Sequence, residues 1–187
     1  YNAQQIRKGM DEAERAGASI VVFPELCITG YTCSDLFLQE VLLRRAKEEL
    51  LALAEETKGK ELLVFVGLPL EVDGRLYNVA AVLHQGEVKA FIPKTFIPNY
   101  SEFYEVRHFT KGPSCPRKIT WMPGQACWFG TDVLLACQEL PDLVLAAEIC
   151  EDVWAPNPPS VRHALSGATV LVNLSASDET TGKDEYR

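Results

Sequence analysis

The sequence predicts an α/β fold with a mixed sheet, and three observations predict it. Helical and strand-like patterns alternate at both ends of the chain, as expected of helices laid over a sheet. Three apolar stretches between residues 62 and 92 are joined by the turn pairs Asp73-Gly74 and Gln85-Gly86, so those strands cannot all be parallel. The run Leu143-Val144-Leu145-Ala146-Ala147 is continuously apolar, the pattern of a strand covered on both faces. Helices are expected to cover the outer face of the sheet.

The elements follow in order. Ala3, Ile6, Met10, Ala13 and Gly17 recur at alternating steps of three and four, an amphipathic helix ending near Gly17. Ile20 to Phe23 is a short buried strand, closed by Pro24 and opening onto Glu25. A chain that passes from a first helix straight into a buried strand is expected to lack the strand before it. Residues 31–39 read as a polar loop. Residues 40–58 read as a second helix, with Leu43, Ala46, Leu50, Leu53 and Thr57 on one stripe and Gly59 as its stop. Strands are expected at 62–72, 76–84 and 87–92. Residues 93–131 are rich in Pro, Gly and aromatics and lack clear periodicity, and so long an irregular segment is usually functional. Within it, 111–131, with Trp121 and Trp128, reads as a packed surface loop. Strands at 132–138 and 143–149, a loop through Pro156, Pro158 and Pro159, a helix at 160–167 and a strand at 169–174 complete the pattern. The last thirteen residues, SASDETTGKDEYR, read as a polar loop. There is no internal repeat and no linker, so residues 1–187 are read as one domain.

Composition narrows the function classes. The 187 residues are 47% hydrophobic and 24% charged, enough for one sizeable core. Net charge is −8 with scattered basic residues, which argues against a nucleic-acid groove or an anionic membrane surface as partner. No apolar run reaches membrane-spanning length, and the first residues do not form a signal peptide. The six cysteines show no CxxC pair and no metal-like spacing with the three histidines, which reads as reduced thiols of a cytoplasmic protein without a metal site.

One stretch concentrates chemistry. In LVLAAEICEDVW (143–154) the apolar strand delivers one thiol, Cys150, among Glu148, Glu151 and Asp152. Taken alone, Cys150 reads as a small buried cysteine. Glu25 alone is a turn carboxylate, and Lys94 alone an exposed lysine after a proline. Together they stand at three strand ends, after IVVFP, KAFIP and LVLAAEI, where α/β sheets bind their ligands. The neighbouring carboxylates are expected to raise the thiol pKa. None of His84, His108 and His163 is placed to serve the thiol, so a carboxylate must be its base and a cation must face the developing oxyanion. Glu25 and Lys94 fit those needs.

Four motifs carry a resemblance: FPELCITGYTCSDLF (23–37), IPKTFIPNYSEFYEVRHF (92–109), EICEDVW (148–154) and VNLSASDETTGKDEYR (172–187). With them the chain resembles the nitrilase, or carbon–nitrogen hydrolase, superfamily, and within it the glutaminase domains of glutamine-dependent NAD synthetases. The resemblance implies an α-β-β-α sandwich with mixed sheets. It implies Glu25 as general base, Lys94 as oxyanion-stabilising cation and Cys150 as nucleophile, with Glu105 as a second glutamate beside them. Tyr100, Ser177 and Lys183 match substrate-binding positions, and the Glu151 N–H would join the oxyanion hole. Such domains usually exceed 187 residues, so C-terminal elements and a first strand are expected to be missing. The synthetase phosphate loop, Ser-Gly-Gly-x-Asp-Ser, does not occur in the sequence. The implied reaction is hydrolysis of glutamine through a thioester, supplying ammonia for amidation of deamido-NAD. No cofactor is implied for this domain; ATP and Mg would serve the synthetase domain of the same parent protein. A homo-oligomer is also implied. A stand-alone amidase or nitrilase, and a folded fragment without chemistry, remain the alternatives.

Overall fold

The computed structural model of the chain describes residues 1–178, 181 and 182. Helix α1 (Asn2–Arg15) buries Ala3, Ile6 and Met10 along one stripe. Gly17 ends it at φ +73, where the Ala18 N–H returns to the Ala13 carbonyl. Strand β1 (Ile20–Val22) follows, then a turn through Glu25 and Leu26, and a short 3-10 helix at Ser34–Leu38 inside the expected loop. Helix α2 (Glu40–Glu55) buries Leu43, Ala46, Leu50, Leu53 and Ala54. Thr57, on the same stripe, donates its hydroxyl to the Ala54 carbonyl at 2.7 Å and accepts the Gly86 N–H at 2.9 Å. It thereby ties the helix end to a hairpin turn.

The strands form a two-layer sandwich. β2 (Leu63–Val72), β3 (Arg75–His84) and β4 (Glu87–Pro93) are an antiparallel meander. Beyond a small hairpin of β5 (Asn99–Tyr100) and β6 (Phe103–Tyr104) lie β7 (Arg117–Met122) and β8 (Gln125–Phe129). These join a six-stranded sheet in the order β1-β2-β3-β4-β8-β7. β9 (Leu135–Ala136), β10 (Val144–Ile149) and β11 (Val170–Leu174) form a second sheet, ordered β11-β10-β9. Both sheets are mixed: β1 and β2 run parallel, as do β4 and β8 and β10 and β11. Helix α3 (Pro159–Leu165) contacts β10.

Alternation along the strands assigns the two faces. Val64, Val66, Leu68 and Leu70 of β2 join Ile6, Met10, Leu50 and Leu53 of the helices in one core. Phe65 of β2, Val82 of β3 and Ile92 of β4 face the other way, against Leu145, Ala147, Ile149, Val172 and Leu174 of the second sheet. The layers are therefore helix, sheet, sheet, helix. Both faces of the central strands are buried, which is why their sequences read as unbroken apolar runs.

Two expectations are corrected. Residues 111–131 are not a surface loop. Ile119, Trp121, Cys127 and Phe129 point into the core, with Trp121 edge-to-face on Phe91 at 5.3 Å, so the segment is a hairpin extending the main sheet. The strand expected at 132–138 shrinks to Leu135–Ala136, whose partner β10 pairs with it over two positions.

One glycine links fold to site. A Cβ on Gly67 of β2 would lie 2.2 Å from the Leu26 N and 2.8 Å from the Glu25 carbonyl carbon, both backbone atoms. The Gly67→Ala variant should push this turn away from the sheet. Overpacking of this kind costs about 1–3 kcal/mol, or roughly 2–12 °C of melting temperature for a chain of this size. An unchanged melting temperature would show that the turn yields freely.

Candidate active site

Three strand ends supply the site. Pro24 ends the extended segment after β1, and the turn that follows holds Glu25 and then Leu26, whose φ of +52 is in the left-handed region. Glu25 points inward and is 2% exposed. β4 ends at Pro93, and Lys94 follows, with its N–H donated to the Asn78 carbonyl of β3 at 2.8 Å. β10 ends at Ile149. Cys150 follows at φ +45 and starts a 3-10 helix, Cys150–Trp154. A residue with a Cβ in that region is strained, on the order of 1–3 kcal/mol, and such strain clusters at functional turns. The bend presents the half-buried sulfur at the end of the sandwich.

Lys94 is the centre of the charge arrangement. Its Nζ, with the residue 1% exposed, donates to Glu25 Oε1 at 2.7 Å and to Glu105 Oε1 at 2.7 Å. Asn78 Nδ2 donates to Glu25 Oε1 at 2.7 Å and more weakly to Glu105 Oε2 at 3.4 Å. The Tyr31 hydroxyl donates to Glu105 Oε1 at 2.7 Å, and the Ala176 N–H to Glu25 Oε2 at 3.3 Å. Burial pushes the Glu25 carboxyl up; the Lys94 ammonium opposes this and the Glu105 charge adds to it. Burial alone would lower Lys94, but Glu25 and Glu105 outweigh it and hold the ammonium above its ordinary value.

The thiol is tied to the same network from the far side. Ser175, just after β11, donates its hydroxyl to Cys150 Sγ at 3.4 Å, and Asn173 Nδ2 donates to the Cys150 carbonyl at 3.4 Å. Burial raises the thiol pKa and the negative charge of Glu25 raises it further; Ser175, Lys94 and the Ala176 N–H pull it down. The direction matches the sequence expectation and the cause does not. Glu148 accepts the Ser160 N–H at 3.0 Å on the α3 side, Glu151 accepts the Tyr100 hydroxyl at 2.7 Å, and Asp152 accepts backbone N–H groups. Those three carboxylates are spoken for by other partners.

The remaining expected residues divide. Glu105 joins the charge centre. Tyr100 and Glu151 meet each other beside Cys150, and that hydrogen bond, with burial, pushes the Tyr100 phenol up to about 12. Ser177 is half-buried in the loop after β11. Lys183 lies outside the described residues. The three histidines pair elsewhere: His84 with the Leu62 carbonyl, His108 with Asp35 and His163 with the Thr131 carbonyl. Asn78, Tyr31 and Ser175 escaped the sequence reading. Asn78 alone left a signal there, a polar residue inside the apolar run of β3. Among the described residues no cluster of His, Cys, Asp and Glu is arranged to hold a metal ion. A cavity of about 360 Å³ adjoins the centre, bordered by Leu26, Tyr31, Phe37, Phe103, Glu105 and Ala176.

The chain is similar to known proteins in both sequence and structure. The carbon-nitrogen hydrolase family model matches residues 1–186. The glutamine-dependent NAD(+) synthetase of Mycobacterium tuberculosis is 44% identical over 171 residues, covering 91% of this chain and 25% of that protein. The synthetase of the same description from Aquifex aeolicus is 35% identical over 187 residues, covering 100% and 29%. The chain thus spans about a quarter of the length of these curated relatives. In structure it resembles a glutamine-dependent NAD(+) synthetase from Cytophaga hutchinsonii, with TM-score 0.85 and 35% identity over 100% of this chain and 29% of that one. An amidase from Nesterenkonia sp. shares the fold at TM-score 0.70 and 22% identity, over 98% and 61%.

The Ser175 hydrogen bond can be tested apart from turnover. Ser175→Ala removes a donor that favours the charged sulfur, so the pH profile of Cys150 alkylation by iodoacetamide should move upward. Peptide mass spectrometry identifies the modified cysteine. A profile that stays in place, or moves down, would show that the hydroxyl does not act on the sulfur.

Proposed function

The chain belongs to the carbon–nitrogen hydrolase family, and from that premise we propose that it hydrolyses the side-chain amide of glutamine through a Cys150 thioester. The observation that carries the proposal is the buried Lys94 ammonium shared by Glu25 and Glu105 beside a thiol held neutral. Glu25 Oε1 is committed to Lys94 and Asn78, so Oε2, which accepts only the longer Ala176 bond, is the oxygen that takes the thiol proton. The sulfur then attacks the amide carbon, and the carbonyl π electrons move to oxygen. An ammonium has three N–H donors. Two serve the carboxylates, and the third faces the oxyanion together with the Glu151 N–H at the start of the 3-10 turn. The C–N bond breaks as Glu25 returns the proton to nitrogen, releasing ammonia. Water, deprotonated by Glu25, cleaves the thioester to glutamate and restores the thiol.

The names of the relatives support glutamine as the substrate and NAD(+) synthesis in the full-length protein; the use proposed for the released ammonia is amidation of deamido-NAD. ATP and Mg would serve that second step on a synthetase domain. Tyr100, Glu105, Ser177 and Lys183, with the Glu151 backbone N–H, are the groups proposed to bind glutamine. Cytoplasmic location and assembly as a homo-oligomer complete the proposal. Among the described residues no helix is long and apolar enough to cross a membrane.

Two experiments on the full-length protein test it. Glu25→Gln keeps the shape but cannot accept a proton, and ammonia release from glutamine should fall by about 10²–10⁴-fold; near-wild-type release would remove Glu25 as the base. Lys94→Met should abolish hydrolysis and also destabilise the fold at neutral pH by about 3–5 kcal/mol, because two buried carboxylates lose their cation. Without the cation, burial leaves the Glu25 carboxyl further above its ordinary value. Its protonated form is then favoured in the fold, so the stability deficit should shrink as pH falls toward 4 and grow as pH rises. A deficit independent of pH would mean that the two carboxylates are not held by Lys94.

A further inference from the structure

Asp152 lies two residues past the nucleophile and is 1% exposed. Its Oδ1 accepts the Phe96 N–H at 2.7 Å and the Thr95 N–H at 3.0 Å. Its Oδ2 accepts the Ile149 N–H at 3.0 Å and the Thr95 N–H at 3.3 Å. Ile149 directly precedes Cys150, and Thr95 directly follows Lys94. One carboxylate thus touches the peptide before the sulfur-bearing residue and the peptides after the cation-bearing one. We propose that Asp152 is a positioning residue that sets the separation of Cys150 and Lys94 by tying the turn after β10 to the turn after β4.

The need for such a tie follows from the topology. β4 belongs to the six-stranded sheet and β10 to the three-stranded one, so no backbone ladder connects them. Across the layers the two strands meet through apolar side chains such as Ile92, Ala147 and Ile149. Apolar packing is non-directional and tolerates small sliding, whereas hydrogen bonds weaken steeply when their angles change. A carboxylate that accepts from both turns converts loose packing into a fixed distance. Capping its own 3-10 helix would require only the bond back to Ile149. The bonds from Thr95 and Phe96 exceed that task. Burial pushes Asp152 up to about 6, with the Ile149 and Phe96 N–H groups, Lys94 and the Thr95 N–H opposing. Every one of these contacts comes from a backbone N–H, so the group accepts at both oxygens.

The inference rests on the hydrolase reading above, and the test separates the two. Asp152→Asn in the full-length protein leaves one acceptor oxygen and turns an NH2 group toward a backbone N–H. Asp152→Glu keeps both oxygens but moves them by one methylene. Two readings are taken below the melting temperature: ammonia release from glutamine, and the pH profile of iodoacetamide alkylation at Cys150 scored by peptide mass spectrometry. Expected for D152N is a kcat, per alkylatable Cys150, at least tenfold below wild type, with KM changed less than about threefold. Expected for D152E is a smaller loss of the same kind. The alkylation profile of D152N should move upward, because Lys94 no longer sits where it favours the thiolate. Simple removal of a negative charge would move it downward, so the sign discriminates. Should D152N not fold, D152E decides by the same readings. If each folded variant shows a lower melting temperature but wild-type kcat per titrated thiol, Asp152 is a structural cap and the proposal fails. If wild type releases no ammonia from glutamine or other amides, the hydrolase reading fails. The alkylation profile then still reports whether Asp152 holds Lys94 against the sulfur, an upward shift supporting it and an unmoved or downward one overturning it.

Discussion

The structure depends on one ammonium shared by two carboxylates out of contact with water. Desolvating Lys94, Glu25 and Glu105 costs several kcal/mol per ion, recovered only if their geometry is good and the remaining lone pairs find donors. Asn78, Tyr31 and the Ala176 N–H are those donors. Even so, the count does not balance: two negative charges face one positive charge, and the excess disfavours a second ionised carboxylate. A proton arriving from a neighbouring thiol relieves that excess. In the proposed reaction the base strength of Glu25 is therefore a product of burial and of Glu105, and no histidine takes part.

The parts come from different layers. Glu25, Asn78 and Lys94 are fixed by the six-stranded sheet, whereas Cys150 and Ser175 stand at the ends of strands in the smaller one. Glu25 itself reaches across, through the Ala176 N–H. The packing of Phe65, Val82 and Ile92 on Ala147, Ile149 and Leu174 is thus both core and active-site frame. Close-packed interiors transmit small volume changes as displacements, so a cavity cut between the sheets would reach the sulfur before it unfolded the chain. A cavity under α1 and α2 would lie in the other core and spare it.

Much of this was readable in the residues, and what escaped did so for physical reasons. The stripes of α1 and α2 and the apolar meander announce themselves because burial on one or both faces is a property of each element alone. Glu25, Lys94 and Cys150 were legible as a trio because strand ends converge in this class of fold. The β7–β8 hairpin was missed although Ile119, Trp121, Cys127 and Phe129 alternate inward, since Pro, Gly and charged residues around them mask a period of two. Asp152 was read as a charge acting on the thiol because sequence gives proximity without direction. Its side chain turns instead to the peptides of Thr95 and Phe96, 57 and 56 residues away in sequence.

A neutral resting thiol has a consequence beyond rate. The thiolate is the form that reacts with oxidants and stray electrophiles, and burial with the Glu25 charge keeps Cys150 largely out of that form. A histidine-paired cysteine stays ionised at rest and exposed to such losses. In the reaction proposed above the anion forms only as Glu25 takes the proton, when an electrophilic carbon is in place and Lys94 can receive the new negative charge on oxygen. The buried ammonium that holds the two carboxylates together favours the thiolate, but burial and the Glu25 charge outweigh it, so the sulfur of the proposed nucleophile rests neutral.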